Sequence, residues 1–177
     1  GDTHYVIEKY LEDLSSISSQ FLKQRTDRAG NGSLIFTDIA FEDNNGNKLQ
    51  ELISGKDANI IMSYETQGKV KNIKASIGFY GGLGQFLLMC NNEMVGQPFE
   101  VLPPSGQIKC SLPKLPFAKG LYRINLYCEV SGEMADWIQE AASVAVIDGE
   151  FYGTCKNVPS THGGFLAAQT WSYLPKG

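Results

Sequence analysis

From residue 33 onward apolar residues recur with a period of two, and turn-forming residues interrupt them every 8 to 15 positions. A helix repeats every 3.6 residues and cannot bury such a stripe. The chain is therefore expected to be all-β. Strands are predicted over SLIFTDIAFED (33–43), ANIIMSYETQ (58–67), VKNIKASIGFY (70–80), QFLLMCN (85–91), GQIKCSL (106–112), GLYRINLYCEV (120–130), AASVAVIDG (141–149) and FLAAQTWSYL (165–174). The intervening EDNNGNK, TQGK, YGGLGQ, LPPSGQ and LPFAKG carry turn chemistry. Strands with one apolar face cannot all lie in one flat sheet without leaving that face wet, so two sheets should face each other in an antiparallel β-sandwich.

The first 25 residues follow another rule. Val6, Ile7, Tyr10, Leu11, Leu14, Ile17 and Phe21 fall at spacings of one, three and four, one stripe of an amphipathic helix. TDRAGNGS then reads as a linker. This divides the 177 residues into a helix and linker over 1–29 and a sandwich domain over 30–177.

The glycine-rich stretch GFYGGLGQFLLMCNN (78–92) has the composition of a phosphate-cradling loop and also of a tight hairpin. A phosphate loop needs a helix N-terminus after its glycines to supply N–H groups to the anion. Here a short β-like run follows and no nucleotide motif fits. The hairpin is the better reading, with Gly81, Gly82 and Gly84 supplying positive φ.

Fifteen basic against 19 acidic residues give a net charge of −4, without the basic cluster that tracks a phosphate backbone. Nucleic acid is thus not an expected partner. No uncharged apolar stretch approaches the ~20 residues that cross a bilayer, and no signal-peptide pattern opens the chain. Cys90, Cys110, Cys128 and Cys155 are widely spaced, without the C-x-x-C pairs of zinc sites. They read as reduced thiols, three of them in apolar strand patterns, with one or two disulfides of a secreted domain as the alternative.

Catalysis leaves little trace. The two histidines are His4, on the N-terminal helix, and His162, in PSTHGG, which reads as a surface loop. Asp136, Glu129 and Glu133 are the most suggestive carboxylates, but no pattern places two of them across a cleft. No calcium loop or H-x-x-x-H spacing is present.

Binding leaves a better trace. In GLYRINLYCEV, alternation puts Tyr122, Ile124, Leu126, Cys128 and Val130 inward and Arg123, Asn125, Tyr127 and Glu129 outward. On VKNIKASIGFY, Ile73, Ala75, Ile77 and Phe79 point inward, with Lys74, Ser76 and Tyr80 outward. The late FLAAQTWSYL places Gln169, Trp171 and Tyr173 on one face. Aromatic rings accept the C–H face of a pyranose while amides and charges match its hydroxyls. The same aromatics also suit packing against the core or a partner chain. The candidate glycan-binding residues are Arg123, Asn125, Tyr127, Glu129, Lys74, Tyr80, Gln169 and Trp171; should the glycan end carry a phosphate, Arg123 and Lys74 are the expected counter-charges.

Three stretches carry a resemblance. GSLIFTDIAFEDNNGNKLQELISGKDANIIMSYE, LPKLPFAKGLYRINLY and DWIQEAASVAVIDGEFYG are similar, in order and spacing, to the C-terminal carbohydrate-binding domain of the ATPase subunit of O-antigen polysaccharide ABC exporters, the Wzt family. VIEKYLEDL looks like the segment that follows the nucleotide-binding domain in such subunits. The resemblance implies an immunoglobulin-like sandwich without catalytic activity that recognises the modified non-reducing end of an O-antigen polysaccharide and couples it to export. It implies a homodimer in which the C-terminal strand exchanges between protomers. ATP and magnesium, and contact with the membrane subunit of the transporter, would belong to a nucleotide-binding domain outside this chain. The location implied is cytoplasmic, at the inner face of the inner membrane. A purely structural dimerisation module and a β-sandwich glycan hydrolase or esterase are the alternatives.

Overall fold

In the computed structural model, which describes residues 22–156, 158–159 and 163–174, ten strands form two sheets. They are β1 (Arg28–Ala29), β2 (Leu34–Glu42), β3 (Glu51–Ile53), β4 (Ala58–Thr66), β5 (Val70–Tyr80), β6 (Phe86–Asn91), β7 (Phe99–Leu102), β8 (Ser105–Leu112), β9 (Gly120–Val130) and β10 (Glu133–Ile147). One sheet runs β1-β10-β9-β5-β6, with β3 also on β10 and β7 also on β5; the other runs β2-β4-β8. All pairings are antiparallel except β3 with β10. Of the helix predicted over the first 25 residues, 1–21 lie outside the described residues; at its expected end Leu22–Gln24 form a single 3-10 turn.

The core follows the alternation. Ile73, Ile77, Phe79, Tyr122, Ile124, Leu126 and Cys128 from the large sheet meet Leu34, Phe36, Ile60, Met62, Tyr64 and Ile108 from the small one. Burial of these side chains contributes about 1.5–3 kcal/mol each and drives the two sheets together. One flank of the sandwich is latched. Asp136 of β10, buried on the core side, accepts the Phe36 backbone N–H at 2.8 Å and lies 3.5 Å from Arg28 Nε. Arg28 Nη2 in turn donates to the carbonyls of Leu22 and Phe36. Gly30 makes this close approach possible: at φ 126°, a Cβ there would lie 2.3 Å from the Ala135 carbonyl oxygen.

The β5 edge is shared by two short strands, β7 along Val70–Ile73 and β6 along Ser76–Tyr80. Asn92 bridges the gap, accepting from Ala75 N–H at 2.8 Å and donating to the Ile73 carbonyl at 3.1 Å. The segment before β9 is anchored by Phe117, which stacks against Phe79, Tyr122 and Phe165 at centroid distances of 4.9, 4.6 and 5.2 Å. The Tyr122 hydroxyl donates to the Ala118 carbonyl at 2.7 Å, which gives the G-x-Y sequence at the start of β9 its packing role.

Two expectations need correction. The late strand over 165–174 is absent: Phe165 makes one isolated bridge to Phe117, and Leu166 N–H bonds the Pro116 carbonyl at 2.6 Å. Beyond it no described residue joins a ladder, and Trp171, Tyr173 and Leu174 are 83–89% exposed. Alternation creates a strand only where an edge accepts it. Residues 81–85 do form a hairpin turn, with Gly81 N–H to Gln85 O at 2.9 Å. Of its three glycines only Gly84 has positive φ, 81°.

Candidate functional site

The outer face of the large sheet faces away from the core, and its side chains are set by cross-strand register. β5 and β9 place Lys74 opposite Glu129, Ser76 opposite Tyr127, Gly78 opposite Asn125 and Tyr80 opposite Arg123. Six of the eight residues singled out from sequence thus lie on one contiguous face. Gln169 and Trp171 do not belong to this ladder: they sit in the strandless tail, where Trp171 Nε1 donates to Gln169 Oε1 at 3.2 Å.

Polar groups on the face hold one another. The Tyr127 hydroxyl donates to Glu129 Oε1 at 2.6 Å, and this bond pushes its pKa up to about 12. Glu129 lies 3.5 Å from the Lys74 ammonium, which also lies 3.8 Å from Glu93. Arg123 Nη1 donates to Glu140 Oε1 at 2.7 Å. Such partly exposed pairs add little stability, but they orient the side chains that make them.

Glu140 sits in a bulge of β10, where register with β9 jumps between Ile138 and Ala142. Its φ of 48° is in the left-handed region, a strained conformation for a residue with a side chain. Fixed contacts hold it there. Its N–H donates to Asn125 Oδ1 at 2.8 Å, its carbonyl accepts from Arg25 Nη1 at 2.8 Å, and the neighbouring Gln139 carbonyl accepts from Arg25 Nη2 at 3.0 Å. With its oxygen committed, Asn125 retains its amide N–H groups for a ligand. Bulges recur beside binding sites because they re-aim side chains.

Sequence reasoning missed the flanks of this face. β10 places Trp137 opposite Tyr127 and Met134 opposite Glu129, and both are more than a third exposed. β6 places Phe86 opposite Tyr80 and Met89 opposite Gly78. The Tyr80 and Phe86 rings meet edge to face at 5.3 Å. Gly78 leaves a bare stretch of backbone: a Cβ there would lie 3.2 Å from Tyr80 Cε2, 3.6 Å from Phe86 Cε2 and 3.9 Å from Asn125 Cβ. The result is a floor of main chain walled by Tyr80 and Phe86 on one side and Asn125 on the other, with Tyr127 and Trp137 further along.

The carboxylates singled out for catalysis separate. Asp136 is buried toward the core, where burial raises its pKa, whereas Glu129 stands on the outer face. Glu133 accepts from Asn31 Nδ2 at 3.2 Å. His4 and His162 lie outside the described residues. Among the described residues no group of three or more His, Cys, Asp or Glu could hold a metal ion, and no helix is long and apolar enough to cross a membrane.

The model of the Wzt C-terminal domain matches residues 25–157. The chain belongs to this family. Among solved structures it is similar to the crystal structure of the C-terminal domain of Wzt, with a TM-score of 0.67 and 16% identity over 84% of this chain and 90% of that one. A Niemann-Pick type C2 protein from Japanese carpenter ant is more distant, with a TM-score of 0.42 and 13% identity over 67% of this chain and 98% of that one. No curated protein matches the sequence. Family membership is consistent with a carbohydrate-binding module of an ABC exporter ATPase.

Proposed function

We propose that the chain is a non-catalytic glycan-binding module that recognises the modified non-reducing end of a lipid-linked O-antigen polysaccharide and couples it to export across the inner membrane. The observation that carries this reading is the outer sheet face itself. It combines four exposed or half-exposed aromatic rings, Tyr80, Phe86, Tyr127 and Trp137, with Arg123, Asn125, Glu129 and Lys74 around a floor without side chains. Rings take the apolar face of a sugar, and the fixed donors and acceptors take its hydroxyls.

Charge pairing refines the ligand. Arg123 is engaged by Glu140, and Lys74 lies beside Glu93 and Glu129, so a terminal phosphate would have to displace carboxylates already in place. A neutral, polyhydroxylated end fits better. Gln169 and Trp171 would join the site only if the tail folded over the face or reached it from a second protomer.

The tail supports a homodimer with strand exchange. Its apolar residues Trp171, Tyr173 and Leu174 are exposed and its backbone joins no ladder, while β6 and β8 end their sheets. An unpaired apolar segment and an open sheet edge complement each other. In this reading ATP, magnesium and the membrane subunit are engaged by a nucleotide-binding domain outside this chain, at the cytoplasmic face of the inner membrane. Two sites in a dimer would gain avidity through effective concentration.

Tyr127→Ala removes a ring and a hydroxyl from the centre of the face and should weaken binding of the cognate polysaccharide about tenfold or more in calorimetric titration. Arg123→Ala, which frees the Glu140 carboxylate and removes a cation from the face, should also weaken it. Both variants should retain the wild-type circular dichroism spectrum. Unchanged affinity in both would remove this face from the site.

A further inference from the structure

We propose that Cys90 and Cys110 are a covalent modification site, a thiol pair that closes into a reversible disulfide between the two sheets. The latched flank of the sandwich is at β2 and β10; on the other flank β6 and β8 end their respective sheets. Register fixes where the two thiols point. Cys90 of β6 lies opposite the core residue Ile77, and Cys110 of β8 lies opposite the core residue Ile60, so both side chains turn inward from facing edges. They line one cavity of about 430 Å³, together with Met62, Ile77, Ile108 and Leu112.

The chemistry at the pair is asymmetric. Each thiol is the largest influence on the other's proton: the interaction raises the pKa of Cys90 and lowers that of Cys110. The thiolate is the attacking form, and the lowered pKa of Cys110 favours it in that role. With a low-molecular-weight disulfide as oxidant, the Cys110 thiolate attacks one sulfur, forms a mixed disulfide and expels a thiolate. Cys90 then loses its proton and attacks Cys110 Sγ, forming the Cys90–Cys110 bond and expelling the second thiolate. Two protein thiols are oxidised and one small disulfide is reduced to two thiols. The remaining cysteines are unsuited: Cys128 is fully buried with its pKa pushed up to about 12, and Cys155 is exposed in the segment after β10.

The test uses the full chain carrying Cys155→Ser, incubated with oxidised glutathione, alkylated and weighed intact. The expected product has lost two hydrogens, resists alkylation at Cys90 and Cys110, yields a cross-linked peptide pair on digestion, and reverts with dithiothreitol. Closing the segment between the two cysteines should raise Tm by about 5–10 °C over the reduced form. In Cys90→Ser the reaction should stop at a glutathione adduct on Cys110. Alkylation of both thiols after oxidation, or a separate glutathione on each, would overturn the proposal.

Discussion

Asp136→Ala should cost about 3–5 kcal/mol of folding stability, the range found when one partner of a buried ion pair is removed. The carboxylate sits behind β10, 1% exposed, and serves both sheets. Its loss leaves the Phe36 N–H without an acceptor in the core and Arg28, whose side chain is 15% exposed, without a counter-charge. Asp136→Asn keeps an acceptor oxygen and should cost less. The pH dependence has a definite sign. Burial raises the Asp136 pKa above its ordinary 3.8, so its contribution is greatest below that value and is lost as pH rises through the folded-state pKa. The advantage of wild type over Asp136→Asn should therefore shrink between about pH 4 and pH 7. Urea unfolding of the three proteins at both pH values measures all of this. A loss below about 1 kcal/mol for Asp136→Ala would show that this latch does not hold the sheets together.

Gly78→Val should abolish or cut glycan affinity by about tenfold to a hundredfold while leaving the fold in place. The position lies on the outer face of an interior strand, where a β-branched residue is well accommodated. Its Cβ meets the far edge of the Tyr80 ring at 3.2 Å and no backbone within 4 Å, so the ring need yield only a few tenths of an ångström. The methyl groups would fill the floor between Tyr80, Phe86 and Asn125 without deleting any hydrogen-bonding group. Lost binding would then report occupancy of that floor. Calorimetric titration with an accompanying melting curve separates the two effects, and full affinity at unchanged Tm would place the glycan elsewhere.

Much of this architecture is legible in the sequence, and the failures have physical causes. Apolar runs and period-two alternation mark β2, β4, β5, β6, β8 and β9 with bounds correct to within a few residues, although Ala58–Met62 of β4 are buried on both faces. β3 and β7 have three and four residues and too few alternations to register. The first half of β10 is obscured by the bulge at Glu140, which breaks the period and inserts charges. The tail alternates equally well but pairs with no edge of its own chain, a tertiary fact that no local pattern contains.

For the site, the rows on β5 and β9 follow directly from alternation. Trp137, Phe86 and Met89 do not, because knowing that β10 and β6 flank these strands requires the topology. Gly78 falls inside the strand predicted over 70–80, but only the register reveals it as the floor between aromatic walls. The inward turn of Cys90 and Cys110 could be read strand by strand; their lining of one cavity across the open flank could not.

The most direct test of the glycan-binding account is calorimetric titration of this chain with the cognate O-polysaccharide, intact and stripped of its terminal modification. Binding to the intact polymer alone is the result predicted for a module that reads the finished chain end. Equal binding to both would contradict recognition of the terminus, and absence of binding to either would contradict the glycan site and leave the exposed aromatics as an interface between protomers.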